Sequence, residues 1–97
     1  KTAANYAMHN ADPSKKKLNP AGKWNSSKII FTKKKVEHWL NGEIVLSFVP
    51  WSEDWYKRKN ESKWKNAEKY GSFKKGYIGL QDHDSQLWFR NIKIRKL

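Results

Sequence analysis

The dipeptide Asn41-Gly42, which separates two runs rich in β-branched, aliphatic and aromatic residues, constrains the fold more than any other feature. Both residues tolerate the positive φ of a two-residue type I′ turn, and such turns join antiparallel strands. The flanking runs Val36–Leu40 and Glu43–Val49 are therefore predicted to form a β-hairpin. The turn also fixes the expected facing pairs, which are Leu40 with Glu43, Trp39 with Ile44, and His38 with Val45.

Three further segments have the β-branched and aromatic composition of strands: Lys28–Thr32, Tyr77–Gln81 and Leu87–Leu97. Residues 52–70 favour one or two helical turns, because a serine and two acidic residues at 52–54 resemble a capped helix start. Five or six strands with one short helical excursion are typical of a mostly-β, antiparallel sandwich.

Two weaker patterns extend this prediction. Tyr6 and Met8 alternate with other residues and are compatible with a short edge strand. In the last predicted strand, the apolar residues change phase between Phe89 and Ile92. Since successive side chains of a strand point to opposite faces, a β-bulge near Arg90-Asn91 is expected to restore a common inward face.

Length and composition limit the chain to one small domain. It has 97 residues, and its 21 Lys and Arg against 9 Asp and Glu give a net charge of +12. Only 37% of residues are hydrophobic, but 14% are aromatic, which is unlike a disordered segment. The absence of cysteine excludes a disulfide scaffold and a thiolate zinc site. No run reaches the roughly 20 apolar residues of a membrane-spanning helix, so no membrane span is expected.

Four stretches, taken in order and with their spacing, resemble the C-terminal half of the 3-keto-disaccharide hydrolase family. They are Pro20 to Asn25, Val36 to Gly42, Gly76 to His83, and Leu87 to Ile94. The resemblance implies a concanavalin-like β-sandwich, or jelly roll, of which this chain is an incomplete half. Residues 1–97 are then a single domain or the C-terminal part of a larger one, with 1–19 as an irregular leader and 20–97 as the family-like region.

The resemblance also implies a partner, a location and a substrate. The N-terminal half of the same domain would complete the sandwich, and the protein would be secreted, periplasmic or on the surface of a bacterium. The substrate would be a carbohydrate, a glycoside whose sugar carries a ketone at carbon 3. The family usually has glycine where this chain has Asp84, so an extra carboxylate stands in a turn near the expected ligand.

A 3-keto sugar is cleaved by removal of the proton at carbon 2, loss of the substituent at carbon 1 and addition of water. The resemblance therefore implies a general base, for which histidine is suited, and groups that stabilise an oxyanion. The expected catalytic residues are His38, Asp82 and His83, and the expected substrate-binding residues are Gln81, Arg90, Asn91 and Trp39. The sequence establishes no cofactor, but two histidines with a carboxylate are compatible with a divalent metal.

Other interpretations of these residues stay open. His38 can be a half-buried residue that packs beside Val45, and Asp82 can serve only its own turn, with His83 exposed. Arg90 can pair with a carboxylate to hold the last strand. A non-catalytic, lectin-like carbohydrate-binding module is the alternative function, since one fold can carry many functions. A nucleic-acid-binding domain is the remote alternative, which the net charge of +12 suggests. The lysines are dispersed along the chain, however, so a nucleic-acid partner is not expected.

Overall fold

A computed structural model describes residues 2–97 and contains a three-stranded antiparallel sheet and one helix. The strands are β1 (Ser27–Phe31), β2 (Val36–Leu40) and β3 (Glu43–Phe48), and the helix is α1 (Glu53–Asn60). The strand order in the sheet is β1-β2-β3, so each strand pairs with its neighbour in sequence. The predicted strand Lys28–Thr32 is thus present one residue earlier, and the predicted hairpin strands are present almost unchanged.

The β2–β3 turn has the predicted conformation. Asn41 and Gly42 have φ values of 49° and 83°, the positive region that a type I′ turn requires at both positions. The Asn41 side chain also accepts a hydrogen bond from the Ser26 backbone N–H at 2.7 Å and donates to the Lys17 carbonyl at 2.9 Å. The turn therefore fixes the hairpin and anchors the segment that leads into β1.

The hairpin register shifts at Val45. Leu40 and Trp39 face Glu43 and Ile44 as predicted, but His38 faces Leu46 and not Val45, because a β-bulge lies between His38 and Trp39. A bulge leaves its extra residue outside the ladder. The Val45 carbonyl instead accepts the backbone N–H of Asp12 at 2.7 Å, so the bulge attaches the N-terminal segment to the sheet.

The core lies between the sheet and the N-terminal segment. Val36, Leu40 and Val45 are each 2% exposed. Leu40 and Val45 form a cluster with Ala11, against which Ala3 packs. The irregular leader, residues 1–19, thus includes an essential part of the core where the structure describes it.

Helix α1 begins at the predicted cap. The Ser52 hydroxyl accepts the backbone N–H of Trp55 at 3.2 Å, and Glu53 and Asp54 occupy the first turn, where they interact favourably with the helix dipole. Arg58 pairs with Asp54 one turn earlier at 2.9 Å. Trp55 is buried, and it lines the same concave surface as Phe31 of β1 and Phe48 of β3.

The two C-terminal strands are not formed. Residues 71–97 are all exposed and contain no strand, so the predictions for Tyr77–Gln81 and Leu87–Leu97 were wrong for this structure. A strand needs the N–H and C=O groups of a neighbour, and within residues 2–97 no backbone pairing joins this segment to β1 or β3.

The bulge and the edge strand predicted from weaker patterns are also absent from residues 2–97. The bulge expected near Arg90-Asn91 has no ladder to interrupt, although Asn91 does have a positive φ of 54°. Tyr6 and Met8 lie in a turn closed by an isolated bridge between Asn5 and His9, and they form no edge strand. The fold class is nevertheless the predicted one, an antiparallel β structure with one short helix, consistent with part of a β-sandwich. In residues 2–97 no helix has both the length and the apolar character needed to cross a bilayer.

Gly71 is the glycine whose replacement we expect to disturb this packing. Its φ is 66°, and a Cβ placed on it would lie 2.6 Å from Cζ2 of Trp55. The Gly71→Ala substitution should therefore lower the free energy of unfolding by about 1–3 kcal/mol, the usual cost of overpacking. Urea unfolding measures this change. Gly76→Ala is the matched control, because nothing lies within 4 Å of its added Cβ. Equal unfolding midpoints for the two variants would contradict the packing described here.

Candidate active site

A polar cavity of about 410 Å³ brings together residues from the N-terminal turn and the C-terminal segment. Its volume falls within the roughly 300–1,000 Å³ of small-molecule sites. Four of its five side chains carry hydrogen-bonding groups, and two of them, Gln81 and His83, were predicted from the sequence. The polar cavity is lined by Tyr6, Gln81, His83, Ser85 and Leu87.

Tyr6 brings a positive charge to this cavity. The Lys63 ammonium donates a hydrogen bond to the Tyr6 hydroxyl oxygen at 2.8 Å and lies 4.1 Å from the centre of the Tyr6 ring. The Trp64 indole N–H donates to the Tyr6 carbonyl at 3.1 Å and fixes the residue from the other side. The wall formed by Tyr6 can thus stabilise negative charge on a bound ligand.

The turn that carries His83 exposes its neighbours. Asp82 and Asp84 do not line the polar cavity, and neither forms an ion pair or side-chain hydrogen bond within residues 2–97. Asp84 has a φ of 59°, a conformation that favours glycine. This conformation explains why glycine suits the position in the family pattern. Asp84 has a Cβ atom and therefore adopts the same φ at some cost in free energy.

His38 lies apart from the polar cavity, in the middle of β2. Its Nδ1 atom is 2.8 Å from the Ala3 carbonyl oxygen. A carbonyl can only accept, so Nδ1 carries the hydrogen and the neutral ring has its lone pair on Nε2. The ring also meets Phe48 edge-on, with centroids 5.9 Å apart. No hydrogen bond or ion pair in the described residues joins His38 to Asp82 or His83.

His9 was assigned no role from the sequence, yet it is the most buried of the three histidines. It is 6% exposed and stacks on Phe48 with ring centroids 4.6 Å apart. Asn5 donates its amide N–H to Nδ1 of His9 at 2.9 Å, so the neutral ring carries its hydrogen on Nε2. That Nε2 is buried without a hydrogen-bond partner and lies 3.9 Å from an Asp54 carboxylate oxygen. Nothing local in the sequence indicates this, because the burial depends on contacts with β3 and α1.

Burial lowers the pKa of His9 below its ordinary value, and the Arg58 guanidinium acts in the same direction. The Asp54 carboxylate opposes both effects, and the nearby His38 adds to the lowering. The neutral form of His9 is therefore the form that the folded protein favours.

The remaining predicted binding residues lie outside the polar cavity. Trp39 donates its indole N–H to Glu37 at 3.3 Å, and the Lys28 ammonium lies 4.4 Å from its ring centre. Within residues 2–97 Arg90 forms no ion pair with a carboxylate, and its guanidinium lies 4.1 Å from the centre of the Trp24 ring. Asn91 is exposed. The sugar contacts predicted for these residues stay predictions.

A second concavity, the aromatic cleft, encloses about 310 Å³ next to the sheet. Six of its side chains are aromatic, and Asn5 supplies the single amide. The aromatic cleft is lined by Asn5, Phe31, Phe48, Pro50, Trp51, Trp55, Tyr70, Gly71 and Phe73.

The two concavities lie on either side of one peptide bond, because Asn5 lines the aromatic cleft and Tyr6 lines the polar cavity. Consecutive Cα atoms are about 3.8 Å apart, so this stretch of backbone borders both concavities. Ala3 and Ala7 on either side of this peptide both have a φ of 62°, a costly conformation for alanine. The surrounding contacts must therefore hold the turn in place.

The described residues do not supply a complete metal site. In the part of the chain that the structure covers, no three His, Cys, Asp or Glu side chains lie close enough together to hold an ion. The divalent metal considered from the sequence stays a prediction about the whole protein.

Comparison with known proteins identifies the family. Residues 1–95 match the family described as the 3-keto-alpha-glucoside-1,2-lyase-like domain. The chain belongs to this family. A curated "3-keto-disaccharide hydrolase" from Bacteroides thetaiotaomicron is 35% identical over 106 aligned positions, which cover 99% of this chain and 36% of that protein.

A crystal structure of a "putative glycosyl hydrolase" from Parabacteroides distasonis is 45% identical, with a TM-score of 0.63. The alignment covers 71% of this chain and 30% of that one. The chain thus spans about a third of the length of these relatives, and it belongs to a hydrolase-type family.

The buried His9 makes stability depend on pH in a defined direction. Its pKa is lowered in the folded state, so the unfolded chain binds the proton more readily. The free energy of unfolding should therefore fall as the pH drops through the ordinary histidine value of 6.5 and continue to fall towards the lowered value. His9→Phe preserves a ring against Phe48 and should reduce this slope, as measured by urea unfolding between pH 7.5 and 5. Phe89→Ala, which removes an exposed ring and no titratable group, should keep the wild-type slope. Identical slopes in His9→Phe and the wild type would refute this account.

Proposed function

We propose that this protein cleaves 3-keto-glycosides, and that the polar cavity holds the keto sugar. The proposal is supported by membership of the 3-keto-alpha-glucoside-1,2-lyase-like family and by the name of the Bacteroides thetaiotaomicron relative. The observation that carries it is the composition of the polar cavity, where one imidazole, one carboxamide and two hydroxyl groups surround a space of about 410 Å³. Sugar hydroxyls require such partners when they leave water.

The chemistry conserves atoms and electrons without an oxidant. A base takes the proton from carbon 2, and the electron pair of that bond delocalises into the ketone at carbon 3 as an enolate. The pair then forms the double bond between carbons 1 and 2, while the substituent at carbon 1 leaves with its own bonding pair and accepts a proton. Water adds across the double bond, with hydroxide at carbon 1 and the proton at carbon 2.

His83 is the base in this proposal, because it is the imidazole that lines the polar cavity. Imidazole titrates near neutral pH and can accept the carbon 2 proton and later return it. Gln81 and Ser85 also line the cavity, and their uncharged amide and hydroxyl groups would orient the sugar ring by hydrogen bonds. In this proposal the C-terminal segment, which carries both residues, contributes to the site without forming a strand.

Tyr6 and Lys63 would stabilise the enolate. The Lys63 ammonium, which donates a hydrogen bond to the Tyr6 hydroxyl, places a positive charge at the wall of the polar cavity. Negative charge develops on the carbon 3 oxygen only as the reaction proceeds. A donor placed for that oxygen lowers the barrier more than it tightens substrate binding.

The predicted catalytic roles of His38 and Asp82 have less support. His38 is held by Ala3 and Phe48, away from the cavity lining, and Asp82 faces solvent beside His83. His38 fits a role in attaching the N-terminal turn to the sheet. Export to the periplasm or cell surface, and completion of the sandwich by the N-terminal half of the domain, also remain proposals.

Turnover of a 3-keto-glucoside by the full-length protein tests the proposal. We expect release of the carbon 1 substituent, detected by mass spectrometry. His83→Gln should lower the rate at least about 100-fold, the usual contribution of a general base. His38→Gln, which exchanges the same pair of residue types outside the cavity, should retain most of the rate after correction for folded protein.

Two further measurements separate the alternatives. Binding of an unoxidised glucoside should change little in His83→Gln, because its amide can still donate and accept hydrogen bonds. If no 3-keto-glycoside or ordinary glycoside is cleaved and the sugar still binds, the protein is a carbohydrate-binding module. Loss of turnover after treatment with a chelator would show that a divalent metal takes part.

A further inference from the structure

Lys63 is a cation that aromatic rings, rather than a carboxylate, hold in place. Within residues 2–97 it forms no ion pair, and its side chain is exposed. Its ammonium lies 4.1 Å from the centre of the Tyr6 ring and 4.7 Å from the centre of the Trp64 ring. An exposed lysine on its flexible stem would otherwise sample many positions. The two rings therefore keep a positive charge beside the Tyr6 wall of the polar cavity without neutralising it.

Trp64 holds Tyr6 as well as the ammonium. Its indole N–H donates to the Tyr6 carbonyl at 3.1 Å, and the two rings are tilted, with centroids 5.9 Å apart. Trp64 also stacks on Tyr70, with centroids 4.3 Å apart and planes 8° from parallel. One indole thus contacts the wall of the cavity and the cation beside that wall, while the stack restricts its own rotation.

The end of α1 sets the position of Lys63 and Trp64. The Ser62 backbone N–H and hydroxyl both donate to the Lys59 carbonyl, at 3.1 Å and 2.7 Å. The Ser62 hydroxyl oxygen in turn accepts the Trp64 backbone N–H at 3.1 Å. This hydrogen-bonded turn brings both side chains to Tyr6, although they lie 57 and 58 positions away from it in the sequence.

We propose that Trp64 is a positioning residue for the reaction, because it fixes the Lys63 ammonium beside the Tyr6 wall of the polar cavity, where the enolate charge develops. This inference rests on the proposed function. Trp64 does not line the polar cavity itself, so it acts through Lys63. The enolate charge exists only during the reaction. Displacement of the cation should therefore lower kcat and leave KM almost unchanged.

Steady-state kinetics of the full-length protein on a 3-keto-glucoside tests this role. Trp64→Leu, which removes the ring and the N–H, should lower kcat about threefold to tenfold, the effect of losing one exposed cation–π contact and one hydrogen bond. KM should change by less than about twofold. Trp64→Phe keeps a ring near the ammonium and should recover most of the lost kcat. All rates are expressed per folded protein, as determined by urea unfolding.

Trp51 is the matched control, because it makes the same kinds of contact at the aromatic cleft. Its indole N–H donates to the Gly71 carbonyl at 2.6 Å, and its ring lies 6.1 Å from that of Phe31. The Lys74 ammonium lies 5.2 Å from its ring centre. Trp51→Leu should therefore lower the free energy of unfolding much as Trp64→Leu does, but it should keep the wild-type kcat.

A double-mutant cycle shows whether Trp64 acts through the cation. Lys63→Met removes the charge and keeps a long side chain. In that background Trp64→Leu should change kcat by less than about twofold, because the group that it positions is gone. The proposal is overturned if Trp64→Leu costs the same factor in kcat with and without the Lys63 ammonium. Equal losses of kcat in Trp51→Leu and Trp64→Leu also overturn it.

The proton resonances of Lys63 provide a readout that needs no turnover. Protons above an aromatic ring are shielded by its ring current, so the ε-methylene signal of Lys63, assigned by its loss in Lys63→Met, should lie upfield of the other lysines. Trp64→Leu should reduce this shift, and Trp51→Leu should preserve it. An unshifted signal in the wild type overturns the positioning itself. A shifted signal with no cleavage of any 3-keto-glycoside instead refutes the proposed function, and the role of Trp64 in turnover with it.

Discussion

The attachment of the N-terminal turn to the sheet is the constraint on which both concavities depend. The bulge at Val45 turns one carbonyl out of the ladder, and Asp12 binds it. Imidazole, guanidinium and indole groups then bind three carbonyls of residues 3–8: His38 binds Ala3, Trp64 binds Tyr6, and Arg58 binds Met8. Each of these bonds gives a hydrogen-bond partner to a carbonyl of an irregular segment. Without them, the Asn5–Tyr6 peptide would not stand between the polar cavity and the aromatic cleft.

Features governed by neighbouring residues could be predicted from the sequence. The Asn41-Gly42 turn and the Ser52 cap depend on the conformational preferences of a few adjacent residues, and both are present in the structure. The displaced register at His38 could not be predicted in this way. The bulge is stabilised by Asp12, which is distant in sequence, and the hydrophobic pattern of β3 alone does not show it.

The same distinction applies to the histidines. Local pattern drew attention to His38 because it lies on a strand, and to His83 because it follows Asp82 in a turn. The structure places His83 in the polar cavity and His38 outside it. His9 was missed because its burial arises from Phe48 and α1. A histidine in a polar segment gives no sign of burial until its distant neighbours are known.

The C-terminal segment shows how far an apolar pattern can be taken. Tyr77 to Gln81 and Leu87 to Leu97 have the composition of strands, yet every residue there is exposed. Composition states which face a strand would bury, but backbone hydrogen bonds decide whether the strand forms, and these require a partner edge. Side-chain contacts still hold the segment against the rest of the chain, since the Arg90 guanidinium lies over the Trp24 ring and the Lys74 ammonium lies over the Trp51 ring. Gln81 and His83 therefore reach Tyr6 without a sheet to carry them.

Two of the lysines that make up the high positive charge lie beside the two concavities. In the sequence the lysines are dispersed, which is typical of solvated surface, but two of them stand over aromatic rings that line the concavities. Lys63 lies over Tyr6 of the polar cavity, and Lys74 lies over Trp51 of the aromatic cleft. In the proposed elimination, negative charge develops on the ketone oxygen bound in the polar cavity, and the Lys63 ammonium would stabilise it there. Because this charge exists only during the reaction, a cation in that position would favour turnover over tight binding of the substrate.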